Sequence, residues 1–518
     1  MASADSPEKE HLAFRALHGD GGTGRERGMA AFDYDLGILG GGAAGLTAAA
    51  GAAQFGAKTV LVEKARKLGG DCLHFGCVPS KTLIRTAGVW SLARRAKEFG
   101  LPEIGLPPVS LAAVMDRVRS VIDTIQEHDS PERFCRLGAE VRFGDPRFVD
   151  DRTVSVEGDR LTARAWIVAT GSSPSIPPVE GLADVPYWTN ETVFSQKELP
   201  GHLLVLGGGP IGVEMAQAFR RLGSKVTVIE FADQLLGAED PDIAAILQHR
   251  LEAEGVKVLT GTKAVKAAAV NSSVLLRVAP AKGEGEPRTI EGDVLLVAAG
   301  RNANVEGLEL AAAGVGFAPR GIPADARMRT NVPHIYACGD VNGVFPFTHV
   351  AGYEAGIALS NAVLRFPRRA DYTKVPWCTY TDPEVASIGL NEKRARSAGV
   401  EYRVLETHFR EVDRALAEGE TGGKIKALVS PSGALLGCQI AGQQAGELIH
   451  EWVAAINGGV RLSTLAGAIH AYPTLSEISK KAAGSYYSEK LFSDRTRRIL
   501  RFLFDLKGRA CTPEGKAG

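Results

Sequence analysis

The sequence predicts an α/β protein made of two parallel-sheet units of one design, followed by a smaller α+β unit. Three observations support this. A short apolar run leads into a glycine turn and an alanine-rich helix at residue 40, the same order of events returns at residue 207, and the composition changes from about residue 372. With 518 residues, and roughly 150 residues per domain, the chain has room for three or four domains, and its 45% hydrophobic content suffices for sizeable cores.

The first unit begins with Tyr34-Asp35-Leu36-Gly37-Ile38-Leu39, runs into Gly40-Gly41-Gly42-Ala43-Ala44-Gly45, and returns through Thr59-Val60-Leu61-Val62 to Glu63. This is a βαβ pattern of the dinucleotide-binding, Rossmann-like type. Gly40, Gly42 and Gly45 let the backbone approach a pyrophosphate at the helix N-terminus, and Glu63 is placed to hydrogen-bond an adenosine ribose. Downstream, the apolar run 202–206 leads to Gly207, Gly209 and Gly212, and the run 226–229 ends at Glu230. From Gly40 to Glu63, and again from Gly207 to Glu230, is 23 positions, so the second module repeats the first at an offset of 167. One such turn arises from packing needs alone. Two with matched acids point to two dinucleotide sites. After Glu230 the residues Phe231-Ala232-Asp233-Gln234 offer no cation for a 2′-phosphate, so NADH should be preferred to NADPH.

Beyond Glu63 comes the run from Gly69 to Lys81, with Cys72 and Cys77 five positions apart and Pro79 at what reads as a helix start. Proline suits a first helical turn, and the free N–H groups there favour a thiolate. Cys77 should therefore have a lowered pKa. Lys81, at i+4, adds a positive charge on the same helix face. The bland alternatives are two buried structural cysteines or half of a metal site. Zinc pairs usually have tighter spacing and a second pair elsewhere, which is missing, so no metal is expected.

This segment closely resembles the active-site signature of the class I pyridine nucleotide-disulfide oxidoreductases, flavoproteins that include dihydrolipoyl dehydrogenase, glutathione reductase and mercuric reductase. The resemblance spans residue 33 to about 490. It implies a redox disulfide in which Cys72 exchanges with substrate and Cys77 faces the flavin, with FAD in the first module and NAD(P)H in the second. Thr170 and Gly171 in 166–172, and Gly300 in 295–301, match the family's chain-crossing segments. Gly339 and Asp340 end a run similar to the second flavin-binding motif, where the aspartate meets the ribityl chain. Glu214 matches a glutamate that pairs with the lysine at Lys81. The implied layout is an FAD-binding domain over 32–179 and 295–371, an NAD-binding domain over 180–294 and a dimerisation domain over 372–492, hence a homodimer.

The chain departs from the common pattern in three places. Asp71 replaces a threonine and His74 an asparagine. Near the C-terminus, His470-Ala471-Tyr472-Pro473-Thr474-Leu475-Ser476-Glu477 aligns with a segment whose residue before the proline is normally a histidine, held by the glutamate matching Glu477 and acting as acid and base in the partner's site. A tyrosine, with an ordinary pKa near 10, is a poor base at neutral pH. His470 is two positions away and, on a strand, would share Tyr472's side. His74 is a second alternative proton carrier, though a solvent-facing loop histidine is the plainer reading.

With 60 basic and 60 acidic residues the net charge is zero, which gives no sign of nucleic-acid binding. Seven scattered cysteines, including Cys511, do not form a secreted disulfide framework, and a reducing cytoplasm is expected. Residues 1–31 lack an apolar core of signal-peptide length and read as a flexible extension. The tail 493–518 contains a basic, apolar stretch at 495–507 that either packs on the protein or makes weak contact with an anionic membrane surface. Three functions stay open: an NADH-linked dithiol/disulfide oxidoreductase resembling dihydrolipoyl dehydrogenase, a metal-ion or quinone reductase, and a redox-sensing flavoprotein that binds partners.

Overall fold

The computed structural model describes residues 32–271, 273–283 and 285–507; the extension expected over 1–31 and the end of the tail, with Cys511, lie outside them. Leu36–Leu39 and Thr59–Glu63 are buried at every position, as parallel strands covered on both faces must be. They lie in a five-stranded parallel sheet ordered Ile335–Ala337, Trp166–Val168, Leu36–Leu39, Thr59–Glu63, Ala139–Phe143. The alanine-rich helix Ala43–Gln54 packs close to the helix Thr348–Leu359: a Cβ on Gly51 would lie 2.5 Å from Leu359 Cδ2. Small residues here permit the near approach of two helices, and that fixes where the start of the second one, Thr348, falls.

The second unit repeats the design, with a parallel sheet ordered Val256–Leu259, Lys225–Ile229, His202–Leu206, Val294–Val297, Tyr187–Trp188. This corrects the expected boundary at 294. Val294–Val297 pairs with His202–Leu206 and completes the second sheet, just as Trp166–Val168 completes the first. Both apolar strands end in a small-residue turn, so in the sequence they look alike. The chain crosses back only after them, where Arg301–Ala303 pairs antiparallel with Ser172–Pro174.

The third unit is an antiparallel sheet ordered Pro376–Thr379, Glu384–Gly389, Leu435–Gly442, Lys424–Val429, Arg403–His408. Helices Ala445–Asn457 and Glu477–Leu491 cover one face, with the buried Trp452 donating its indole N–H to Ser479 Oγ at 3.0 Å. The unit docks on the second one through Lys426, whose buried Nζ lies 3.1 Å from Asp240, 2.9 Å from Asp242 and 2.5 Å from Glu392. Those acids are close enough together to hold a cation, and the lysine is that cation.

Within the tail, the described residues form one further helix. Ser493 Oγ caps a helix over Asp494–Phe504 by accepting from Thr496 N at 3.2 Å, and no residue of that helix is buried. Among the described residues, no helix is long and apolar enough to cross a membrane.

Candidate active site

The cysteine run folds as a short helix, Gly70–His74, a turn at Phe75 and Gly76, and a long helix, Cys77–Arg94. Gly76 caps the long helix without a side-chain hydrogen bond, so the first-turn N–H groups are directed at the Cys77 end. The two cysteines are not bridged here. Cys72 donates a hydrogen bond to Cys77, and Thr348 Oγ1 stands 3.5 Å from Cys77 Sγ. The bond from Cys72, helped by Thr348 and the charge of Lys81, lowers the Cys77 pKa to about 6 against the opposing effects of burial and Glu214. Cys72 moves the other way. Its donated bond, burial and repulsion from Cys77 push its pKa up, so the pair keeps one proton, on Cys72.

Lys81 Nζ lies 2.8 Å from Glu214 Oε2, which brings together the first and second units. Glu214 is 5% exposed, and its other oxygen accepts from the backbone N–H of Tyr380 at 2.8 Å. Lys81 also sits 4.5 Å from the centroid of the Tyr380 ring, a cation–π contact. Thr348 belongs to no motif in the sequence, and Tyr380 stands in a run, 375–384, that marks only the start of the third unit; both meet the site through packing.

Asp71, the replacement next to Cys72, also has structural partners. Its Oδ1 lies 3.2 Å from Arg301 Nη2 and accepts from Asn190 Nδ2 at 3.0 Å. Arg301 donates to Ser172 Oγ at 2.7 Å, and Ser172 Oγ donates to Asp340 Oδ2 at 2.6 Å. Burial raises the pKa of Asp340, while the Ser172 bond and Arg301 counter it. Nearby, Thr170 Oγ1 donates to the carbonyl of Asn304 at 2.7 Å, and Gly171 and Gly300 take left-handed conformations at the two crossings. Gly339 donates its N–H to the buried Glu354 at 2.7 Å.

The two glycine turns superimpose in their contacts as well as their spacing. Gly40 and Gly207 have φ of 107° and 117°, and a Cβ on either would lie 2.3 Å from a carbonyl oxygen, of Ala169 and Ala298 respectively. A Cβ on Gly45 would lie 1.8 Å from the Gly40 oxygen, and one on Gly212 1.9 Å from the Gly207 oxygen. Only glycine fits these places. Gly42 and Gly209 are the N-caps of helices Ala43–Gln54 and Pro210–Leu222, and neither end has a side-chain cap. Glu63 accepts from Gly41 N and from Ala65 N, both at 2.6 Å; Glu230 accepts from Gly208 N and Ala232 N in the same way. Two helix N-termini with open N–H groups, each beside a fixed carboxylate, suit two dinucleotides.

The pyridine nucleotide-disulphide oxidoreductase family profile matches residues 34–355, and that family's dimerisation domain matches 375–483. The chain belongs to the pyridine nucleotide-disulphide oxidoreductases. It is 36% identical over 453 residues to a dihydrolipoyl dehydrogenase of Bacillus subtilis (strain 168), covering 86% of this chain and 97% of that one. It is 32% identical over 455 residues to a mercuric reductase of Staphylococcus aureus, covering 87% and 82%. Among solved structures it resembles the HOCl-induced flavoprotein disulfide reductase RclA from Escherichia coli in its Cu(II) complex, with a TM-score of 0.78, 26% identity and coverage of 87% and 99%. LpdA from Mycobacterium tuberculosis gives 0.79 and 27%, with coverage of 87% and 99%. The protein is an FAD-dependent, pyridine nucleotide-linked oxidoreductase acting on sulfur groups, and its dimerisation domain supports a homodimer.

In this pyridine nucleotide-disulphide oxidoreductase, the C-terminal segment differs from the expected arrangement. Residues 469–474 form no strand, so alternation does not put His470 and Tyr472 on one side. His470 turns inward, its Nε2 2.9 Å from Glu451 Oε1, whereas Tyr472 is 69% exposed and donates its hydroxyl to Asp413 at 3.0 Å. That bond raises the Tyr472 pKa, so still less of the phenol is ionised and able to accept a proton at neutral pH. Asp413, rather than Glu477, is its partner; Glu477 is the first residue of helix Glu477–Leu491. His74 is half-buried on its short helix and bonds the carbonyl of Leu68 at 2.9 Å, so it is not a solvent-facing loop histidine. At the second module Lys282 comes to the turn, where its Nζ pairs with Asp233 at 2.7 Å.

Proposed function

We propose that this oxidoreductase couples NADH to a small dithiol/disulfide substrate through Cys72 and Cys77, in a reducing, cytoplasmic setting. The observation that carries the reading is the placing of Cys72 and Cys77 across one turn, with Cys77 opening helix Cys77–Arg94, Thr348 against its sulfur and the Lys81–Glu214 pair one turn on, a setting that lowers the Cys77 pKa and raises that of Cys72. The open helix ends at Gly42 and Gly209 would hold the pyrophosphates of FAD and NADH, with Glu63 and Glu230 at the riboses and Asp340 at the ribityl chain. FAD, when bound, supplies the electron relay between the nicotinamide and the disulfide.

Two electrons and one proton open the Cys72–Cys77 bond to give the Cys72 thiol and the Cys77 thiolate. To attack a substrate disulfide, Cys72 must lose its proton, and the hydrogen bond offers the Cys77 sulfur as acceptor. The Cys72 sulfur then forms a mixed disulfide with one half of the substrate as the other half leaves, taking the proton now held on Cys77. The Cys77 thiolate attacks Cys72 and expels the second half, which takes a proton from water, and the intramolecular disulfide is restored. Glu230, with Lys282 already paired to Asp233, supports NADH over NADPH.

A second reading is reduction of a metal ion. It is favoured by Tyr472, which is exposed and bonded to Asp413 and so lends no base to dithiol chemistry. Relatives named mercuric reductase, and RclA in a Cu(II) complex, point the same way. Steady-state assays with NADH against lipoamide, glutathione disulfide, quinones, Hg(II) and Cu(II) separate the two. Turnover of a disulfide, abolished by Cys72→Ser, supports the first; turnover confined to metal ions overturns it.

A further inference from the structure

The helix Asp494–Phe504 has no part in the redox site, and its two faces differ sharply. At 100° per residue, Ile499, Leu500, Phe502, Leu503 and Phe504 fill about 200° of its circumference, and Leu506 follows just past its end. Arg497, Arg498 and Arg501 fill the opposite side with Asp494, while Arg495 falls within the apolar arc, about 20° from Phe502. All six apolar residues are exposed, Phe502 by 89%. A water-soluble surface rarely presents so continuous an apolar face, and among the described residues nothing covers it.

We propose that this helix lies in the headgroup layer of an anionic phospholipid bilayer, with its apolar face toward the acyl chains and its arginines toward the phosphates. Charge decides the occupant. The segment 494–507 has five basic residues against two acidic ones, in a chain whose total is neutral, so the positive charge is concentrated next to the apolar face. An interfacial helix combines this wide apolar arc, flanking cations and low overall hydrophobicity. A second copy of the same helix is a poor occupant, because a two-fold contact would set one arginine rim against the other. The helix follows the family's dimerisation domain, which ends at 483, so its position leaves that domain's sheet and covering helices undisturbed. In a dimer, two such helices would anchor together, and avidity would strengthen a weak single contact.

The test uses the full-length, FAD-loaded enzyme in flotation with vesicles of phosphatidylcholine alone or mixed with phosphatidylglycerol. Binding should require the anionic lipid and weaken with salt. Arg498→Gln with Arg501→Gln should cut the partition coefficient on the order of thirtyfold, the scale expected for two basic residues near an anionic surface. Phe502→Asp should abolish flotation. Both variants should keep NADH-dependent activity and dimer size, since the residues are exposed and far along the chain from the cysteines. Equal binding to neutral vesicles, no binding to either, binding untouched by both variants, or a change in oligomer size caused by Phe502→Asp would each overturn the proposal.

Discussion

Opposite ends of one ion pair should move Cys77 in opposite directions. Lys81 favours the Cys77 thiolate and Glu214 opposes it. At i,i+4 spacing, with the charges ~7 Å apart and an effective dielectric near 20, Lys81 would act on the thiolate with about 2.4 kcal/mol. Its 34% exposure and its bond to Glu214 reduce that, leaving ~1 kcal/mol, somewhat under one pH unit. Lys81→Met should therefore raise the Cys77 pKa from about 6 toward 7, and Glu214→Gln should take it below about 6. The assay is alkylation of the reduced protein by iodoacetamide over a range of pH, with peptide mapping of Cys77. The two variants also differ in stability. Lys81→Met leaves Glu214, 5% exposed, with the Tyr380 N–H but no cation, a cost of ~1–3 kcal/mol, whereas Glu214→Gln strands only a lysine that reaches solvent. Shifts of the same sign in both variants, or none in either, would refute this electrostatic picture.

Gly70→Ala should weaken FAD retention by roughly tenfold to a hundredfold, because its Cβ would lie 2.6 Å from Gly42 Cα at a φ of 59° and push the glycine turn out of place; the flavin-to-protein ratio after gel filtration reads this. The unmodified enzyme should have a higher kcat/KM for NADH than for NADPH, and Glu230→Ala should narrow the ratio; equal efficiencies before substitution would refute the nucleotide assignment. Tyr472→His should raise dihydrolipoamide oxidation toward the order-of-hundredfold gain of a positioned base, with rates rising as pH passes about 6.5 and the imidazole becomes neutral, while quinone and metal-ion reduction change little.

Much of the fold was legible because its signals are local. Two strand–glycine–helix–strand runs at a fixed offset specify two parallel sheets, and the structure repeats even the bonds of Glu63 and Glu230 to backbone N–H groups. The boundary at 294 was misplaced because two crossing strands have the same composition and differ only in which sheet they join. The partners of the site residues are hidden in the sequence for a different reason. Thr348, Arg301, Tyr380 and Asp413 come from distant parts of the chain, and only packing brings them to Cys77, Asp71, Glu214 and Tyr472. Strand alternation would put His470 and Tyr472 on one side, and the irregular loop separates them.

The central claim is that electrons from the pyridine nucleotide open a disulfide between Cys72 and Cys77. Anaerobic titration of the oxidised holoenzyme with NADH, followed by acid quench, alkylation and peptide mapping, tests it most directly. Two new thiols per chain, at Cys72 and Cys77 and appearing together, are expected. Thiols appearing at other cysteines, or NADH consumed with no thiol formed, would contradict it.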